Sequence, residues 1–148
     1  MKQILTKIGK PRTSRGLAVF CAKLAENKLA NDVLIMNLEK NEHAPSDYFV
    51  ICSCDSEVQV GAVMEDIIAS SRALSMHRPR VEGDNNKEWV LVDFFDVVVH
   101  IMKKEIRNFY RLEKLWGDAQ FMKLDEDGKP KILKYEEVKI LLRENILD

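Results

Sequence analysis

The chain has 148 residues, 46% of them apolar, and a formal net charge of −1. That suits one folded domain whose core stands without disulfide or metal staples, and it excludes a global basic field that would draw the protein onto nucleic acid or an anionic membrane. No run of about 18 apolar residues is present, which argues against a helical membrane span, and no apolar stretch near the start resembles a signal peptide.

In chain order, residues 1–13 form a basic N-terminal arm with Lys2, Lys7, Lys10 and Arg12 and no acid. It reads as a solvated segment, an organellar transit segment or a contact to RNA phosphates. Leu17, Phe20, Cys21 and Leu24 then recur at helical spacing and predict a helix over 15–27, with Ser14 as its N-cap. Residues 33–38 (VLIMNL) and 47–54 (DYFVICSC) predict two buried strands around a loop whose Pro45 bars a central strand. Asp55 or Ser56 caps a long helix with Val60, Val63, Met64, Ile67, Ile68 and Leu74 along one stripe. A short strand over 78–83, a GDNN turn and two further strands, EWVLVDF and DVVVHIM, follow. Residues 104–116 predict a broken or kinked helical segment.

Gly117 and Asp118 mark a boundary, giving a domain over 14–118 and a C-terminal extension over 119–148. The extension holds turn residues and a short amphipathic helix with Val138, Leu141, Leu142 and Ile146. The order α-β-β-α-β-β-β-α has too few β-α-β crossovers for a doubly wound sheet. It predicts an α+β fold, a mixed five-stranded sheet with packed helices.

Cys21, Cys52 and Cys54 are odd in number and include no C-x-x-C pair. They read as reduced thiols of a cytoplasmic protein, with Cys52 and Cys54 expected on opposite faces of their strand.

The stretch VDFFDVVVH, residues 92–100, carries two acids and a histidine in an apolar run. As an antiparallel hairpin about Phe94-Phe95, it is expected to set Asp93 against Asp96 and Trp89 against His100. One face then carries Val90, Val92, Val97, Val99 and Ile101, and the other Trp89, Leu91, Asp93, Asp96, Val98 and His100. Three readings of the mixed face stay open: turn-capping acids with a satisfied histidine, a divalent-metal site, or an interface anchored on Trp89. The metal reading lacks support from motifs. No Asp-x-Asp lies within a strand, and there is no phosphate cradle, Walker motif, HExxH or GxSxG. The histidines His43, His77 and His100 are scattered.

SDYFVICSCDSEVQ (46–59), RVEG (80–83) and EWVLVDFFDVVVHIMKKEIRNFYRLEKLWGD (88–118) together resemble the ribosomal silencing factor, or Iojap-related, family. The resemblance runs from about Ser14 to Asp118 and is most specific in its last block. It implies a nucleotidyltransferase-like fold without the catalytic site, no enzyme activity, no cofactor, and a protein commonly homodimeric. It implies binding to the large ribosomal subunit through ribosomal protein L-fourteen, which blocks joining of the small subunit and represses translation. Organellar relatives act in large-subunit assembly. On the matching positions it implies partner contacts by Trp89, Asp93, Asp96, His100, Arg80 and Glu82, with Phe95 in the hairpin turn. A minor rRNA contact falls to the basic arm. Two residues depart from the family pattern: Cys54 and Phe95 stand where glycine is usual. The alternative is a metal-dependent nucleotidyltransferase with an unusual acid set.

Overall fold

The structure, a computed structural model, describes residues 9–143. Lys2 and Lys7 of the basic arm and Ile146 of the C-terminal stripe lie outside that range.

Helix α1 (Ser14–Asn27) begins one residue before the expected start. Its cap is Thr13, whose Oγ1 accepts the Gly16 N–H at 2.9 Å. Strands β1 (Asn31–Asn37) and β2 (Tyr48–Cys54) pair antiparallel. Ser56 caps α2 (Glu57–Ala73) by accepting the Gln59 N–H. Strands β3 (Arg80–Glu82), β4 (Trp89–Asp93) and β5 (Val97–Lys103) follow. The broken helix is α3 (Lys104–Tyr110) and α4 (Leu112–Leu115), parted at Arg111, whose φ of 49° no right-handed helix accommodates. Then come β6 (Gln120–Leu124), β7 (Pro130–Ile132) and α5 (Tyr135–Arg143).

The sheet has seven strands, not five, in the order β3-β4-β5-β2-β1-β6-β7. It is mixed, since β2 and β5 run parallel and every other pair is antiparallel. The two uncounted strands come from the segment after Asp118. Strand β6 lies against β1, Met36 opposite Phe121, and carries β7 beyond it. The turn at Gly117–Asp118 is therefore not the end of the sheet. Residues 124–133 read as turn residues because β7, which lies among them, is only three residues long.

Alternation along the strands sorts side chains onto two faces. The first carries Ile35, Val50, Cys52, Cys54, Val90, Val92, Val97, Val99, Ile101 and Met122, packed with Phe20, Leu24, Val63 and Ile67 of α1 and α2. Cys52 and Cys54 are two residues apart, so they share this face and do not diverge as expected; both are free and buried. The second face carries Leu34, Met36, Phe49, Ile51, Met102 and Phe121 under Leu112 of α4 and Leu141 of α5. Its helices cover β1, β2 and β6. Over β3 and β4, among the described residues, only Trp89 joins the core on this side, and only partly.

The β4–β5 hairpin pairs Leu91 with His100 and Asp93 with Val98. That is two residues off the expected register. An even slip leaves every side chain on its face, so the apolar set is still the buried one. It does separate the acids: Asp93 is not opposite Asp96, which lies in the turn.

Candidate functional site

The hairpin places Trp89 at the start of β4 on the second face, where the helices stop. Its indole Nε1 donates to Nδ1 of His100 at 3.2 Å. His100 is only 6% exposed and packs edge-on against Phe49 with ring centroids 4.5 Å apart. Burial pushes its pKa down to about 4, so the ring is neutral at physiological pH. Because Nδ1 accepts, the proton sits on Nε2, which has no partner among the described residues. His100 thus lies behind Trp89 and holds its indole.

The outward side of Trp89 meets Tyr110, ring centroids 5.0 Å apart, and Tyr110 meets Phe109 at 5.0 Å. Phe109 is 77% exposed, and Tyr110 beside it is exposed as well. These form an apolar aromatic surface at the C-terminal end of α3. Phe49 also touches Trp116 edge-on at 6.1 Å, which makes Trp116 part of the packing beneath. Phe109 and Tyr110 escaped the reading of the sequence as surface residues. The signal was there: adjacent residues on one helix lie 100° apart and cannot both sit at the centre of one apolar stripe.

The remaining residues singled out in the sequence lie on β3 and at the tip of the β4–β5 hairpin, the end of β4 away from Trp89. Arg80 stands opposite Asp93 and Glu82 opposite Leu91. Arg80 Nη2 and Glu82 Oε1 are 3.9 Å apart in the open, an ion pair of little worth there. Asp93 Oδ1 accepts the Phe95 N–H at 2.7 Å, so this acid shapes the turn. Asp96 is exposed, and its carbonyl accepts the N–H groups of Asp47 and Tyr48. Phe95 is 83% exposed at φ 78°. Among the described residues no three His, Cys, Asp or Glu side chains converge as metal ligands would, and no helix is long and apolar enough to cross a membrane.

A buried pair that sequence spacing did not suggest supports the site from below. Arg107 of α3 is 1% exposed. Its Nη1 donates to the Asp32 carbonyl and to Ser53 Oγ, and its Nε lies 3.4 Å from Glu113 of α4, also buried. The guanidinium thereby joins α3 and α4 to the ends of β1 and β2.

Comparison with known proteins places this architecture. The family model described as "Ribosomal silencing factor during starvation" matches residues 11–140, so β6, β7 and most of α5 fall inside the match. A protein of Bacillus subtilis named ribosomal silencing factor RsfS is 37% identical over 111 residues, 75% of this chain and 93% of its own. A mouse protein named mitochondrial assembly of ribosomal large subunit protein 1 is 31% identical, over 66% of this chain and 44% of its own length. Among solved structures, one from Chromobacterium violaceum superimposes with a TM-score of 0.67 at 25% identity, covering 72% of this chain and 88% of that one. Another, from Bacillus halodurans, gives 0.58 at 36% identity, covering 68% and 90%.

Proposed function

Because the chain belongs to the ribosomal silencing factor family, we propose that it binds the large ribosomal subunit through ribosomal protein L-fourteen and sterically blocks joining of the small subunit. The observation that carries this reading is the aromatic surface of Trp89, Tyr110 and Phe109, lying where α3 ends on the second face of the sheet. A central aromatic anchor inside a polar rim is the pattern of a binding hot spot. Trp89 is the anchor, preoriented by His100; Arg80, Glu82, Asp93, Asp96 and Phe95 extend the contact along β3 and the hairpin tip. The acids suit a basic ribosomal protein.

Blocking of this kind requires no bond making. It requires occupancy of a surface and an affinity that competes with the small subunit. We read the protein as non-enzymatic, cytoplasmic and homodimeric, on a nucleotidyltransferase-like scaffold, with its basic arm reaching rRNA. Carboxylates that do not converge give little support to a metal-dependent nucleotidyltransferase; Mg²⁺-dependent nucleotide binding in a thermal-shift assay would favour that enzyme instead.

Sucrose-gradient sedimentation tests the proposal. The parent protein should co-migrate with large subunits and deplete joined ribosomes when added. Trp89→Ala should weaken that binding by about 2 kcal/mol or more. If Trp89→Ala co-sediments as fully as the parent, the assigned face is wrong. A role in large-subunit assembly is the second reading, favoured by the similarity to the mouse protein of that name. It predicts incomplete large subunits in cells lacking the protein, whereas blocking alone predicts complete ones.

A further inference from the structure

We propose that a groove at the tip of the β4–β5 hairpin binds an unpaired RNA nucleotide, its base stacked on Phe95 and its phosphate held by Arg78 and Arg80. The groove has a volume of about 360 Å³ and is lined by His77, Arg78, Arg80, Asp93, Phe94 and Phe95. It lies at the entry to β3, away from the Trp89–Tyr110–Phe109 surface. The large-subunit reading supplies the source of such a nucleotide, and the proposal rests on that reading for its biological setting.

Three observations carry it. The first is Phe95. Its ring is 83% exposed and contributes nothing to the core, while its φ of 78° is a conformation that disfavours any side chain. The turn holds it there with three hydrogen bonds: Phe95 N–H to Asp93 Oδ1, Phe94 N–H to the Val97 carbonyl, and Asp96 N–H to the Phe94 carbonyl. Backbone strain retained under an unburied aromatic ring points to use of the ring by something outside the chain.

The second is charge. Arg78 also lines an adjoining cleft with Arg72, Ser71 and Ser75. Arg78 is thus common to two neighbouring clefts, one lined also by Arg72 and the other by Arg80, which sets three cations near one another for a sugar–phosphate backbone. Among the described residues, Arg72 and Arg78 have no acid within ion-pairing distance, and Arg80 has only the exposed Glu82 at 3.9 Å.

The third is the acid in the lining. Asp93 uses one oxygen on the Phe95 N–H. Its other oxygen can accept from the exocyclic amino group of adenine, cytosine or guanine, which an all-cationic groove could not do. Cations for the phosphate, a flat ring for the base and one acceptor for the base edge match a nucleotide better than an acidic peptide.

The test is fluorescence anisotropy of the full-length protein with a labelled single-stranded adenylate RNA octamer at low salt. The parent should bind saturably. Phe95→Gly, which keeps the turn, should lower affinity about tenfold by removing the stacking surface. Arg78→Ala should lower affinity and reduce the slope of log affinity against log salt by about 0.7. Lys131→Ala, on the opposite edge of the sheet, should leave both nearly unchanged. Absence of saturable binding by the parent, or parental affinity in both groove variants, overturns the proposal. So does a hexaglutamate peptide that binds as tightly as the RNA and loses affinity equally on Phe95→Gly, since the groove would then be a peptide site. No ribosome enters this assay, so its failure leaves the gradient result standing, and the reverse also holds.

Discussion

Phe95 and His100 are five residues apart and are strained in different ways. Phe95 occupies backbone space that favours glycine. Replacing an L residue at positive φ relieves about 1 kcal/mol. Phe95→Gly should therefore raise the melting temperature by about 3 °C in a thermal melt, even as it removes the exposed ring. An unchanged or lower melting temperature would mean the turn is not strained. His100 is held neutral by burial, with its pKa lowered from about 6.5 to about 4. As pH falls, the unfolded chain takes up this proton first. The contribution to stability is complete above about 6.5, shrinks as pH falls through the window, and is fully lost below about 4. The loss reaches about 3 kcal/mol across that window. Urea midpoints should fall between about pH 6.5 and pH 4.5 in the parent, and His100→Gln should flatten that part of the profile. Both residues stand out in the sequence, but the positive φ of one and the burial of the other do not. A turn of given length does not reveal the sign of φ at its centre, and a histidine on a half-apolar strand does not reveal whether a helix passes over it.

At the scale of elements, a buried cation joins α3 and α4 to the sheet beside the packing of Ile106 and Leu112. Arg107 reaches the Asp32 carbonyl, Ser53 and Glu113, three groups far apart in sequence. Arg107→Ala would leave Glu113 charged and buried without its partner, and it should destabilise the fold by about 3–5 kcal/mol in urea unfolding. Arg107→Met combined with Glu113→Leu should recover part of that, because the unpaired charge is gone while the Asp32 carbonyl still lacks its donor. Equal loss in the single and double variants would show that the ion pair itself contributes little. The helix ends were legible because caps are local: Ser56 holds the start of α2, and Thr13 does for α1 what Ser14 was expected to do. The hairpin faces were legible as well, since an error of two residues in register preserves the period of two.

At the scale of the molecule, the segment after Asp118 completes the sheet. Strand β6 covers the edge of β1, and Phe121, Met122 and Leu141 are buried. Truncation after Asp118 should expose that edge together with the apolar surface those side chains cover. The shortened protein should lose its cooperative thermal transition and elute as aggregate in gel filtration. A sharp transition in a monodisperse shortened protein would show that residues 14–118 fold alone. The seven-stranded arrangement also decides where the aromatic surface lies, since among the described residues α3, α4 and α5 pack on the second face over β1, β2 and β6, away from the β3 edge.

Properties carried by neighbouring residues were settled by the amino-acid order: two helix starts set by side-chain caps, the two faces of the hairpin set by alternation, and the family resemblance set by an unbroken block from Glu88 to Asp118. Properties carried by contacts between distant residues were not. The pairing of β6 with β1, the burial of Arg107 against Glu113, and the place of His100 behind Trp89 depend on which surfaces meet after collapse. A strand five residues long or a single arginine carries no local pattern that names its partner, so only packing of the whole chain selects it.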